Sequence, residues 1–345
     1  MVRLIRIWLV CLLLAAAGTS TAGRVHTLKF ATLAPPGSTW MKILEDWGRE
    51  VERRSDGRLR IRFYPGGIQG DEPDVLRKIR FGQLHGAALT GYGIGHIYPA
   101  ARILEMPFLF RNYHEIDRVR ASLMPEFERG FRDHRFELLG WMEVGFVHFF
   151  SKKRIDSLDE LKSLRIWLWQ GDPLGEAMFR AGGFSPVPLS ITEVYTSLQT
   201  GLLDTVYCTP LAAIALQWFT QVKYVSELRM ANAIGAIVVS ERFFRRLPDD
   251  LGALLRSTGQ AVGERLIEAT RRDNEKSIEV LREEGLEFVL PPEQLDMNEL
   301  TRMRDQALEQ LTRSGYIPVE LVRRVRDMLD EIRRNSTGTG NPEHP

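Results

Sequence analysis

Trp167, Trp169, Tyr207, Cys208 and Trp218 lie within one stretch of the chain, and their side chains allow two kinds of chemistry. Aromatic rings set side by side make an apolar wall that can stack against a small molecule. A cysteine can act as a nucleophile once a positioned base lowers its pKa. No base stands in a recognisable spacing to Cys208, so a buried thiol is the plainer reading, with a secreted cysteine-dependent hydrolase as the alternative from another class. The 7 histidines lie apart, without a His-x-x-x-His pair or a neighbouring cysteine pair, and no metal site is expected. Gly91-Tyr92-Gly93-Ile94-Gly95-His96 follows a strand, but His96 stands at the third glycine position and Pro99 interrupts the helix that should follow. A structural loop is expected there, and no cofactor.

The elements that carry the aromatic residues read as a βαβαβ unit. Leu164 to Gln170 alternates, with Leu164, Ile166 and Leu168 on one face and Arg165, Trp167 and Trp169 on the other, so a strand is expected with both tryptophans pointing the same way. Asp172-Pro173 starts a helix that Gly182-Gly183 ends. Phe184 to Leu189 is a short strand. Ser190 to Glu193 is a capping box that opens a helix closed by Gly201, and Asp204 to Thr209 is the third strand. Ligands of open α/β sheets sit beyond the carboxyl ends of the strands. Trp169, Gln170, Tyr207 and Cys208 occupy those ends.

Earlier in the chain a second such unit appears, with strands at Leu28 to Ala34, Arg58 to Tyr64 and His85 to Thr90 separated by helices. Val144 to Ser151 is a strand suited to cross from one unit to the other, and Ala231 to Ser240 a buried strand suited to return. Pro248-Asp249-Asp250 caps a helix reaching about Glu284, long enough to run along both halves. The fold class is therefore α/β, with βαβαβ units in two lobes joined by crossing strands and a long helix.

Lys and Arg number 46 against 45 Asp and Glu, and the net charge of +1 makes nucleic acid an unlikely partner. Arg3 and Arg6, the apolar run Ile7 to Ala17 and Ser20-Thr21-Ala22 form a secretory signal peptide over residues 1–22. Its removal leaves Cys208 as the one cysteine, so no internal disulfide is expected. Lobe I is assigned residues 23–147 with 236–265, lobe II residues 148–235 with 266–334, and residues 335–345 a disordered tail.

Several runs carry a family resemblance: Pro107-Phe108-Leu109-Phe110, Leu161-Lys162-Ser163-Leu164-Arg165-Ile166, Pro186-Val187-Pro188, and Glu193-Val194-Tyr195 with Leu198-Gln199-Thr200-Gly201-Leu202-Leu203-Asp204. Together they resemble the DctP-type periplasmic solute receptors of TRAP transporters (tripartite ATP-independent periplasmic transporters), over nearly all of the mature chain. The resemblance implies a two-lobed periplasmic binding protein, of a class resembling type II, that closes on a small ligand and delivers it to a membrane permease. It implies no enzymatic activity.

Two departures from the family pattern bear on the ligand. The family usually carries a carboxylate-gripping arginine where Trp167 stands, and a second arginine where Gly145-Phe146-Val147 places Val147. A buried carboxylate without a cationic partner costs several kcal/mol, whereas each buried methylene contributes about 0.8 kcal/mol. The expected ligand is thus an apolar or amphipathic small molecule, held by Trp167, Trp169, Tyr207, Cys208 and Trp218, with Gln170, Tyr92, Gln69, Trp40 and Val147 also at the site. An organic acid held without the usual arginine, by backbone N–H groups or Gln170, is the same-class alternative. Receptors lacking the arginine also resemble a branch associated with a tetratricopeptide-type periplasmic subunit.

Overall fold

The computed structural model describes residues 24–338. The signal peptide assigned to residues 1–22 lies outside the described residues.

The first lobe is built on a five-stranded sheet in the order β2-β1-β3-β10-β4. Strand β1 (His26–Thr32) leads to helix α1 (Thr39–Arg54), capped by Ser38, which buries Met41, Leu44, Trp47 and Val51 at helical spacing. β2 (Leu59–Tyr64) and, after α2 (Glu72–Arg80), β3 (Gly86–Thr90) flank β1 in parallel. The next residues form a short helix, α3 (Gly91–Gly95), and not the loop expected from the interrupted glycine pattern. Carboxylates explain its glycines. Glu72 accepts from the N–H groups of Thr90 and Gly93, both at 2.6 Å, and so caps the helix, while a Cβ at Gly91 or Gly93 would collide with Glu105 or Glu72. Burial pushes the Glu72 carboxyl up to about 8. A 3₁₀ turn at Pro99–Glu105 and helix α4 (Tyr113–Asp133) follow.

β4 (Phe136–Phe146) belongs to the first sheet and β5 (His148–Ser151) to the second, so the expected crossing strand is broken at Val147. The second lobe continues with α5 (Leu158–Lys162), β6 (Trp167–Trp169), α6 (Pro173–Ala181), β7 (Val187–Leu189), α7 (Val194–Thr200), β8 (Thr205–Cys208), α8 (Pro210–Ala215) and β9 (Tyr224–Ser226). β6 is shorter than the alternation from Leu164 predicts, since α5 ends only at its cap Ser163 and Ile166 makes an isolated bridge outside the strand. The Ser190 to Glu193 capping box forms, and Gly201 ends α7 at φ 76°. An isolated bridge from Ile166 to Thr205 joins the β6-β7 pair to the four-stranded sheet β11-β9-β5-β8.

β10 (Asn232–Ser240) returns to the first sheet, antiparallel to both β3 and β4. The two crossings are tied together: Val147 N donates to Ala231 O and Met230 N to Val147 O, each at 2.9 Å. After α9 (Glu241–Phe244) comes α10 (Asp249–Glu283), whose 35 residues span about 52 Å at 1.5 Å per residue. It packs on β4 and α1 in the first lobe and on α8 in the second. Helix and strand meet at Gly140, Gly259 and Gly263 so closely that a Cβ at Gly140 or Gly263 would overlap backbone and one at Gly259 the Leu139 Cβ. Asn274 pins its middle, giving a hydrogen bond to Val144 O and taking one from Leu211 N. β11 (Glu287–Val289), α11 (Met297–Arg313) and α12 (Val319–Gly338) complete the chain. α12 continues through the start of the stretch expected to be a disordered tail from Asn335; residues 339–345 lie outside the described residues.

Candidate functional site

A cavity of about 270 Å3 lies between the lobes. The second lobe supplies its aromatic wall. Trp167 stacks on Tyr207 at 5.0 Å between ring centroids, meets Trp218 edge-on at 5.4 Å and lies 5.4 Å from Trp169. The shared face expected from the strand alternation is the cause: β6 is short, but Trp167 and Trp169 still point the same way. Across the cleft, Tyr92 of α3 stacks on Trp169 at 4.5 Å, and Trp40 and Val147 also line the space. Trp167 is only 2% exposed and Trp169 9%, so these rings are core and cavity wall at once, and the two roles do not exclude each other.

Four polar groups of the lining are bonded inside the protein. Trp167 Nε1 donates to Leu189 O at 3.0 Å, Trp169 Nε1 to Asp71 Oδ2 at 2.9 Å, Trp40 Nε1 to Thr270 Oγ1 at 2.7 Å and the Tyr92 hydroxyl to Gln170 O at 2.7 Å. For these four residues, what is left to face the cavity is ring surface.

Of the expected site residues, Trp167, Trp169, Tyr207, Cys208, Trp218, Tyr92, Trp40 and Val147 line the cavity; Gln170 and Gln69 do not. Gln170 takes part through its backbone carbonyl while its side chain is exposed, since it sits beyond the last β6 residue where the chain turns at Gly171. Gln69 lies in the loop before α2, and Lys78 Nζ donates to its carbonyl and its side-chain oxygen. Cys208 is buried, and burial alone pushes its thiol well above the ordinary range with no cation beside it to favour a thiolate. That is the reverse of an activated nucleophile.

Sequence reading missed the ionic corner of the cavity. Arg102, in the 3₁₀ turn of the first lobe, lines the cavity with Glu105 and Asp172, and all three are buried. Asp172 was legible as the cap of α6, a role it has, but not as an ion-pair partner. Its carboxylate takes Arg102 Nη1 at 2.9 Å and Nη2 at 3.1 Å. Glu105 Oε2 stands 2.5 Å from Arg102 Nε in an ion pair too bent to be a hydrogen bond, and Glu105 Oε1 accepts from Ile234 N at 2.8 Å. Burial raises the Glu105 carboxyl despite the guanidinium beside it. An arginine and a glutamate three residues apart, inside the apolar run Ile97 to Phe110, were the available signal.

Asp71 forms a second polar junction. Its Oδ2 accepts from Trp169 Nε1, from Ser190 Oγ at 2.8 Å and from Ile191 N at 3.2 Å, so a first-lobe carboxylate is held by three second-lobe donors. Among the described residues no cluster of three or more His, Cys, Asp or Glu side chains is placed to hold a metal ion, and no helix is long and apolar enough to cross a membrane.

The profile of the bacterial extracellular solute-binding proteins, family 7 (DctP), matches residues 30–311. The chain belongs to that family. Its members are solute-binding proteins and not enzymes, so the cysteine hydrolase alternative falls. The sialic acid-binding periplasmic protein SiaP of Vibrio cholerae is similar, 24% identical over 83% of this chain and 89% of that one. A solute-binding protein of Chromohalobacter salexigens is 26% identical over 56% of this chain and 57% of its own length. The fold matches a TRAP periplasmic solute binding protein of Pseudomonas putida F1 with bound D-glucuronate, with a TM-score of 0.79 and 22% identity over 87% of this chain and 96% of that one. It also matches one of Haemophilus influenzae RdAW with bound L-gulonate, with a TM-score of 0.80 and 17% identity over 90% and 99%. Both neighbours carry sugar acids. They run against the hydrophobic ligand expected from the absence of two family arginines at Trp167 and Val147.

Proposed function

We propose that this DctP-family chain is the periplasmic receptor of a TRAP-type transporter, and that it closes on an amphipathic small molecule in the interlobe cavity and delivers it to the membrane permease. The observation that carries the ligand class is the aromatic wall, in which the Trp167 and Trp169 N–H groups are already bonded inside the protein. Packed ring faces favour a ligand that presents apolar surface to Trp167, Tyr207 and Trp218. A polar end is accommodated near Arg102, where the charged groups gather.

We assign residues 23–147 with 236–265 to lobe I and residues 148–235 with 266–334 to lobe II, and the pairing of β10 with β4 from Asn232 supports a return to lobe I a few residues earlier. Closure is supported by the contacts that join the lobes across the cleft: Tyr92 to Gln170, Asp71 to Ser190 and Ile191, and Arg102 to Asp172. The tetratricopeptide-type partner has no structural observation behind it and forms no part of the proposal.

The sugar acids in the solved neighbours favour a second reading, an organic acid held without the family arginines. Small-angle scattering on protein stripped of ligand, titrated with fatty amides, short alcohols and sugar acids, tests both. Compaction with the amphipathic series supports the first reading, compaction with sugar acids alone supports the second, and turnover of any probe contradicts a receptor.

A further inference from the structure

Of the described residues lining the cavity, Arg102 is the one with a basic side chain, and its partners decide what it can bind. A guanidinium presents two parallel N–H groups that fit a carboxylate bidentately, so a free Arg102 would hold a ligand acid. It is not free. The Asp172 carboxylate sits on that fork, with Nη1 to Oδ1 at 2.9 Å and Nη2 to Oδ2 at 3.1 Å.

We propose that Asp172 is the specificity-determining residue of this cavity, a carboxylate built into the protein that occupies Arg102 and so denies the cation to ligand acids. The proposal rests on the cavity being the solute site. Three features of the geometry support it. Asp172 belongs to the second lobe and Arg102 to the first, so the carboxylate reaches the guanidinium from across the cleft, as a ligand's would. Glu105 is fixed from the other side by Ile234 N, so the remaining charged neighbour already belongs to the first lobe and has no need of Asp172. With two buried carboxylates facing one guanidinium, a third would enter a site with no unpaired cation and meet like charge.

The arrangement also says what would reverse it. Without Asp172, Arg102 and Glu105 leave a vacant fork of the same shape, and a ligand carboxylate placed there restores the present set of charges. The N-cap of α6 is the other role of Asp172, whose Oδ1 accepts from Leu174 N at 3.2 Å, and asparagine preserves it.

The test compares wild-type protein with Asp172→Ala and Asp172→Asn by calorimetry near neutral pH. The probes are straight-chain monocarboxylates from propionate to octanoate and the matching primary amides. Wild type is expected to bind each amide at least as well as its acid. Asp172→Ala is expected to bind the acid about tenfold to a hundredfold tighter than the amide, the range for charge-assisted hydrogen bonds. Asp172→Asn should show a smaller gain, because its amide oxygen still takes one guanidinium N–H. A wild-type preference for acids would overturn the proposal without need of any variant. So would amides binding all three proteins with no acid preference in either variant. If neither series binds any of the three, the cavity is not the solute site and the proposal fails with it.

Discussion

The two walls of the cavity solve burial in opposite ways. On the second lobe, Trp167, Trp169, Tyr207 and Trp218 bury ring surface, and Trp167 and Trp169 send their N–H groups back into the protein. In the corner formed by the first lobe's Arg102 and Glu105 with Asp172, charge itself is buried and must be matched group for group. An apolar wall tolerates the loss of one member by degrees, at a cost set by lost contact area. An ionic cluster does not, because removing one partner strands the others. The difference makes the aromatic wall the part that can adapt to a ligand, and the corner the part that must stay intact.

The largest expected effect follows from breaking the corner. Arg102→Met leaves two buried carboxylates without their cation and should lower unfolding free energy by about 3–5 kcal/mol in denaturant titrations, with or without ligand. Neutralising the carboxylates as well, with Glu105→Gln and Asp172→Asn, should recover most of that loss. A triple variant no more stable than Arg102→Met would show that packing of the arginine stem, and not charge, was responsible.

A buried group can also escape charge by staying neutral, and His148 does so beside the lobe crossing. Burial first, then Arg229, depresses its pKa to about 4, against the opposing pull of its bond to Ser226 O. The folded pKa lies below the unfolded one, so the unfolded chain takes up the proton first as pH falls. Stability should therefore decline between about pH 6.5 and pH 4, by up to about 3 kcal/mol from this group. Unfolding curves of wild type and His148→Asn over that range should converge toward acid if this is right.

On the wall the effects are smaller. Trp167→Leu keeps an apolar residue but gives up contacts with Tyr207 and Trp218, and about 2 kcal/mol of stability should go with them. Its core packing means that arginine at this position would damage the fold as well as the site. Trp169→Phe keeps an aromatic ring against Tyr92 but removes the Nε1 bond to Asp71 and trims the ring, with an expected cost of about 1 kcal/mol from the lost bond. Scattering should then find the ligand-free protein more open than wild type, since that bond spans the lobes.

Local signals made much of this readable before any coordinates. Capping residues and glycine stops marked α1, α6 and α7, and the alternation around Trp167 and Trp169 set their common direction because strand side chains repeat every two residues. The family motifs set the two-lobed fold. What escaped were partnerships between distant residues: Asp172 announces a helix cap, but its contact with Arg102 depends on how the lobes meet, which no local spacing encodes. The glycines of α3 misled for a related reason, since they serve the close approach of Glu72 and Glu105 from elsewhere in the chain. Gln170 was placed at the site by its position at a strand end, but the chain turns there and its side chain is exposed, while Gln69 is engaged by Lys78 away from the cavity.

The central claim is that the cavity holds an amphipathic molecule against the aromatic wall of Trp167, Trp169, Tyr207 and Trp218. The most direct measurement is to purify the protein from the periplasm under native conditions, extract it with solvent and identify what it carries by mass spectrometry. A molecule with a mainly apolar body and at most one small polar end is the expected result. Recovery of a polyhydroxylated sugar acid at one per protein would contradict it.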